Sequence, residues 1–391
     1  MLRTLWNALE RLSEANPKLY TLVWAAATVL FIILSSLAVA SLARLLARLF
    51  KKDRLYQQRT FGGYLFASPW IVGFLLFVLV PTGLSLYWSL TRYELPNPPQ
   101  WLGLDNYVKL LTGDPDFRVS LLNSLYMTLF GLPLQLGTSL VLALILYQKL
   151  RGERAFRIIF YLPVMLASST AMLTAWRLVF NPNNGILNLV LRGLGKSFRP
   201  ADWLIRAAVY IGDLAGSLFT GLQRGNFNTL QSTLAQGFPR TGVVPLWHQS
   251  PLWSKPALII IGVWSSGAMM LIYLAALHGI PTEILEAARV DGASSWQLFR
   301  RIMLPLISPA TFYNLVIGII TTLQIFEQAY VLSDAGGPAQ SQYFVAYYLY
   351  RSTFRFNKVG YGAAMSWILL LILLIFTLFQ FRLSTRWVHY D

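Results

Sequence analysis

The chain has 391 residues, 55% of them hydrophobic and only 12% charged, with a mean hydropathy of +0.52, which excludes an ordinary soluble globular domain. Its formal net charge of +16 would suggest nucleic acid in a soluble protein, but the Lys and Arg residues cluster beside apolar segments, where membrane topology and anionic headgroups account for them without nucleic acid. With no cysteine, disulfides and thiolate metal sites are excluded, and the redox compartment is left unread.

In chain order, residues 1–18 place Leu2, Leu5, Trp6, Leu9 and Leu12 toward one side of a short amphipathic helix. This charged, Pro17-terminated segment precedes the apolar run, so it does not read as a cleavable signal. Residues 19–42 form a first span, long enough for a hydrocarbon core of ~30 Å. Arg44, Arg48, Lys51, Lys52, Arg54 and Arg59 follow and mark the cytoplasmic side. The second span, 63–90, contains Pro69 and Pro81, which membrane helices accept where neighbours or water satisfy the freed carbonyls. A polar loop containing residues 103–107 should face outward. The third span is 119–147, a basic turn occupies 148–157, and the fourth span is 158–180.

Residues 203–222 are apolar enough to suggest another span, but Arg206, Asp213 and three glycines argue against it. Each charge near a bilayer centre costs ~2.5–3.5 kcal/mol on insertion scales. The expectation is one or two amphipathic helices lying on the outer face. Gly193-Leu194-Gly195-Lys196-Ser197 ends like a phosphate loop. The further glycine that such a loop needs is replaced by Val190, and no buried strand precedes it, so nucleotide binding is not expected.

The fifth span is 257–277, the sixth 306–332 and the seventh 362–381. Between the fifth and sixth, residues 283–305 do not read as an ordinary loop. Glu286, Ala287 and Ala288 open one short helical run, and a second follows Gly292, whose type suits a tight turn. Ala287 and Ala288 permit close approach. Pro305 is expected to end one helix and open the next. A compact helix-turn-helix protruding from a membrane is a handle for a partner.

That stretch resembles the coupling loop of the membrane subunits of binding-protein-dependent ABC importers. Glu286-Ala287-Ala288, then Gly292, then Ile302, Leu304 and Pro305 fit EAA-x3-G-x9-I-x-LP, and Asp291 and Ala293 fit its frequent DGA form. The likeness extends to Gly103-Leu104-Asp105-Asn106-Tyr107, to the LRGxxxFRxxxxLP run ending at Pro163, to the segment from Trp176 to Pro182, and to the Gly336-Gly337-Pro338 turn. It covers 61–385 apart from an insertion at 199–244, and is nearest to sugar-type permeases similar to the maltose and glycerol-3-phosphate transporter permeases. The fifth span is one residue shorter than the family's between Trp264 and Met270.

The resemblance implies an all-α polytopic protein of about seven membrane helices with the type I ABC importer permease fold. It would comprise an N-terminal region (1–60), a first core region (61–198), an extracytoplasmic insertion (199–244), and a second core region (245–391) containing the 283–305 loop. It implies a chain that performs no chemistry and holds no metal: ATP and Mg would be bound by two partner ATPases gripping the loop. A second homologous permease subunit, an extracytoplasmic substrate-binding protein and membrane lipids complete the partners. By position in the family's cavity, Val164, Ser168, Ser266, Gly267, Met269, Gln324 and Glu327 would face the solute, most plainly a sugar or sugar derivative. Close helix–helix packing is the alternative for Ser266 and Gly267, and a headgroup-level position for Glu327. The alternative function is an ATP-independent secondary transporter or channel, for which Glu327 is the one candidate coupling carboxylate in a span. His248, His278 and His389 are scattered without ligand-spaced neighbours, which disfavours an enzyme. In a bacterial or archaeal plasma (inner) membrane, the loop and C-terminus would be cytoplasmic. Seven spans then put the N-terminus outside; an additional unrecognised crossing would put it inside.

Overall fold

A computed structural model describes residues 17–148, 152–167, 169–197, 199–236, 245–247, 250–333 and 336–389. The amphipathic helix expected at 1–16 and a portion of the basic turn lie outside the described residues, as do 237–244 of the insertion.

The chain divides into two compact units, the first ending at Tyr87, so the second span groups with the first. In that unit, α1 (Pro17–Leu49) turns at Lys51, φ 52°, into α2 (Arg54–Phe74). Most of their large apolar side chains are exposed, whereas the small Ser36, Ala40, Ala47 and Ser68 are buried. Lipid is as apolar as Leu, so membrane helices associate through small residues. After Phe74 the helix widens at Leu75–Leu79, where the Val80 N–H reaches back to the Leu75 carbonyl, and continues as α3 (Val80–Ser89).

This widening recurs ahead of two further prolines. Leu132 N–H bonds to Met127 O, and Leu304 N–H to Phe299 O. In each case the wide turn ends two residues before a proline: Pro81, Pro133 or Pro305. The proline ring would strike the carbonyl four residues back and leave it unpaired. An expanded turn relieves both faults without stopping the helix.

The second unit opens with a minimal hairpin, β1 (Thr91–Arg92) against β2 (Gln100–Trp101), the sole strand pair among the described residues of an otherwise helical chain. The 103–107 segment becomes a short helix, α4 (Asp105–Val108). Asn106 is buried and donates to the Ser89 and Thr91 carbonyls, both at 2.9 Å. Asp114 caps α5 (Pro115–Tyr126), accepting from the Phe117 N–H. The wide turn at Met127–Gly131 then joins α5 to α6 (Leu132–Tyr147).

The remaining spans are bent. The fourth is α7 (Glu153–Ala167) and α8 (Thr170–Val179), 101° apart. The fifth is α12 (Ser254–Trp264) and α13 (Gly267–His278), 43° apart, and the last is α20 (Val359–Ser384). Between the fourth and fifth lie α9 (Ile186–Ser197), α10 (Arg199–Arg224) and α11 (Asn228–Gln236). Residues 193–197, with their phosphate-loop look, are therefore helical. Counting each bent pair as one span, up to seven described segments are long and apolar enough to cross a membrane, and α10 is not among them.

Two apolar clusters hold the second unit. One gathers Met127, Leu173, Phe180, Leu258, Leu323, Phe344 and Met365; the other gathers Leu146, Tyr273, Leu277, Leu285, Leu298 and Ile307. The α5–α6 helix and the α12–α13 pair each begin in the first cluster and end in the second. The clusters therefore mark opposite ends of the bundle. The 283–305 loop sits at one end, and the insertion and hairpin at the other.

Candidate functional site

The loop is a hook. Its first limb, α14 (Thr282–Val290), buries Leu285 and leaves Glu286 and Ala287 exposed. The limb closes in a Schellman motif: Gly292 N–H bonds to Arg289 O and Ala293 N–H to Ala288 O, both at 3.0 Å, with Gly292 at φ +80°. The left-handed residue is the device that satisfies a helix's last carbonyls. The second limb, α15 (Ser295–Leu298), opens with a reciprocal capping box: Ser294 N–H to Gln297 Oε1 at 2.8 Å, and Gln297 N–H to Ser294 Oγ at 3.3 Å. Such a box satisfies donors at both positions.

Pro305 does not separate one helix from the next, contrary to the sequence expectation. The second limb runs on through the wide turn at Phe299–Met303 into α16 (Leu304–Leu306), and the break falls at Ile307. There the chain bends by 63° before α17 (Ser308–Leu323). The wide turn absorbs Pro305, whereas Pro309 sits in the first turn of α17, where a missing N–H costs nothing.

Leu285, Leu298, Met303 and Ile307 are buried with Leu146, Tyr273, Leu277 and Ile280, and Ala288 and Ile302 pack against them. The outer face presents Glu286, Ala287, Asp291 and Gly292, all exposed. It also carries Val290, 88% exposed, and Trp296, 65% exposed, two apolar groups without cover at the tip of a rigid projection. Ala293 and Pro305 are half-buried and Leu304 is exposed.

The expected cavity residues are dispersed. Ser168 lies outside the described residues. Ser266 is 3% exposed, its carbonyl accepts from Ser139 Oγ at 3.0 Å, and its own Oγ has no partner among the described residues. A Cβ on Gly267 would stand 2.1 Å from the Phe160 carbonyl oxygen. Both residues therefore sit in helix packing at the α12–α13 bend. Val164 and Met269 are half-buried, and the Met269 carbonyl accepts from Asn314 at 3.2 Å. Gln324 and Glu327 are both exposed. The sixth span ends at Leu323, earlier than expected, and Glu327 begins a separate short helix, α18 (Glu327–Leu332).

Around Glu327 stands an aromatic group missing from the sequence expectation. Phe326 packs on Tyr330 and Tyr350 at 5.4 and 5.0 Å, and Tyr350 on Phe354 at 5.3 Å. Tyr350 ends α19 (Val345–Tyr350), and Phe354 lies in the wide turn after it. The Tyr347-Tyr348-Leu349-Tyr350 run was the available signal. Trp176 and Trp264 meet edge to face at 5.4 Å.

A cleft of about 440 Å³ opens at the hairpin end between Arg92, Asp105, Lys109, Asp114, Lys358 and Tyr361. Asp114 is occupied in it, accepting the hydroxyls of Tyr348, at 2.6 Å, and Tyr361. Burial, then the Asp114 carboxylate, pushes the Tyr348 hydroxyl well above its ordinary value, so it remains a donor.

A bundle of bent apolar helices, with a stiff hook at one end and polar loops at the other, is a membrane permease. Residues 120–389 match the family described as the inner membrane component of binding-protein-dependent transport systems, and the chain belongs to that family. It is 35% identical over 342 residues to the probable ABC transporter permease protein YesP of Bacillus subtilis, covering 87% of this chain and 96% of that one. It is 28% identical to the arabinooligosaccharides transport system permease protein AraP of the same organism, covering 85% and 91%. A crystal structure of a bacterial alginate ABC transporter, in complex with an alginate pentasaccharide-bound periplasmic protein, contains a chain of the same fold. It has a TM-score of 0.61 and 23% identity, with coverage of 85% of this chain and 98% of that one. The expected type I ABC importer permease fold is thus the fold found.

Proposed function

We propose that the chain forms half of the pathway of an ATP-driven importer for a sugar or oligosaccharide, and that residues 283–305 couple it to cytosolic ATPases. The observation that carries this is the hook. Its inner face is locked into the bundle, while Glu286, Ala287, Val290 and Trp296 are held outward at the end away from the hairpin. A second permease subunit would complete the pathway, a substrate-binding protein would deliver solute at the hairpin end, and two ATPases would grip the hooks, with ATP and Mg on their side. Glu286 offers a carboxylate for a charge-assisted bond to a partner cation. The sugar assignment draws support from relatives named for arabinooligosaccharide and lactose transport. Gln324 and Glu327 beside the aromatic group suit a solute with hydroxyls and apolar faces.

The test is reconstitution in vesicles with the ATPase and the second permease, in the orientation that leaves ATPase outside. Cross-linking from position 296 to the ATPase, together with ATP-dependent oligosaccharide movement, is the expected result. Movement without ATP, or a hook that never meets the ATPase, would overturn the reading.

A further inference from the structure

Helix α10 of the insertion is built inside-out. Toward the bundle it turns Gly212, Asp213, Gly216, Ser217, Gly221 and Gln223, all buried or half-buried. Away from it stand Leu204, Ala208, Ile211, Ala215, Leu218 and Leu222, an exposed apolar stripe at alternating spacings of four and three residues. A helix resting on a protein in water shows the reverse arrangement.

The inward face is fitted closely. A Cβ on Gly212 would come within 2.6 Å of the Trp253 ring, and one on Gly216 within 3.0 Å of Leu252. Asp213 accepts from the Trp253 indole at 2.7 Å, and Gln223 donates to Asn123 of α5 at 2.8 Å. Lys255, buried at the start of α12, shares that Asn123 oxygen at 3.2 Å and lies between the Tyr126 and Phe219 rings. The charges that argued against a span are turned away from the stripe or paired: Asp213 as described, and Arg206 with Asp202 at 2.9 Å.

We propose that the α10 stripe is covered by lipid acyl chains. The stripe holds no charge or hydrogen-bonding side chain over about 27 Å, the length of eighteen helical steps. A protein-docking face would carry aromatic or arginine anchors and a polar rim; this one is Leu, Ile and Ala alone. The opposite face of the helix rests on a membrane-crossing helix: Phe219 packs edge-on against Tyr126 at 4.9 Å, and Tyr126 packs on the exposed Phe130 at 4.8 Å, within the α5–α6 span, so the stripe is turned outward from a span. Exposed Trp203 stands at one end, a residue type that occupies the headgroup layer. The small residues inward and large ones outward follow membrane helix packing.

Because the chain has no cysteine, single spin labels report without background. Ile211→Cys and Leu218→Cys, with Asn226→Cys in the exposed loop as the aqueous reference, are labelled in the transporter assembled with its partner subunits in lipid nanodiscs. Collisions with oxygen, which concentrates among acyl chains, are compared with those of a water-soluble nickel complex. The expected result is an oxygen-to-nickel ratio several-fold above that of position 226 at both stripe positions. A ratio equal to that of 226 would mean that the stripe faces water and would overturn the proposal. Loss of both collision rates would place a second protein subunit on the stripe and would overturn it equally.

Discussion

Gly292 offers the sharpest test of the hook. A Cβ there would meet no atom within 4 Å, so any penalty for a side chain within this chain comes from the backbone alone. The residue sits at φ +80°, a region that costs ordinary L-residues about 1–2 kcal/mol and Asn less; β-branched residues are true outliers there. Gly292→Val is therefore expected to weaken the hook's bend by about 1–2 kcal/mol, a factor of roughly 5–30 in its population, with the spans intact. Gly292→Asn should cost only a fraction of this, and Gly292→Ala should fall between. In vesicles containing the partner subunits, solute moved per ATP hydrolysed should decline in the order Gly, Asn, Ala, Val, while the amount of inserted protein stays level. Unchanged coupling in Gly292→Val would refute the argument. So would Asn and Val variants impaired equally, because the absence of a side chain at a partner contact, rather than the dihedral, would then be the requirement.

Gly267→Val meets a backbone oxygen at 2.1 Å, which cannot swing aside. Its cost should reach or exceed the upper end of the ~1–3 kcal/mol typical of overpacking, read as a lower Tm in detergent; an unchanged Tm would contradict the observed helix approach. Trp296→Ala and Val290→Ala remove exposed apolar groups, so Tm should hold while ATPase co-purification falls. An anchor-type Trp is worth about 2 kcal/mol or more at an interface, and equal recovery of the ATPase would dismiss it as an anchor. Burial raises the Asp213 carboxyl above its ordinary value, against the opposing Trp253 hydrogen bond. The docked helix therefore binds that proton more tightly than the free helix. Docking of α10 should strengthen as pH falls through the raised value and level off below the ordinary one. Hydrogen exchange across 212–224, corrected for intrinsic rate, should show this trend in the native chain and lose it in Asp213→Asn.

Much of the architecture was legible because a bilayer imposes long apolar runs, and the hook because its turn demands particular residue types. Gly292 announces the turn, and the turn formed there. What sequence could not reveal was where a helix breaks under tertiary load. Pro305 looked like the break, yet a wide turn accommodates it and Ile307, an unremarkable residue, takes the bend. Gln324 ends α17 ahead of the expected boundary for no reason visible in the local pattern. The helical stretch around Tyr347 and Tyr350 was missed because its aromatics pack on Phe326 and Tyr330, partners some twenty residues away. Charge misled at α10 only to a degree. Arg206 and Asp213 stood out in the sequence as charges in an apolar run, but their pairing and inward aim required the fold.

The geometry of the hook also constrains how it can act. Its inner face shares one close-packed cluster with α6, α13 and α17, and dense packing transmits displacement instead of absorbing it. A push on Trp296 would therefore move the lower bundle as a body. Deformation is then left to places where the helical ladder is already interrupted: the bend at Ser265–Ser266, the break at Ile307, and the gap between Leu323 and Glu327. Gln324 and the aromatic group around Glu327 lie at the last of these. Such an arrangement puts the proposed solute contacts where motion from the hook must end. It requires no flexible element in between, only three joints and a stiff lever.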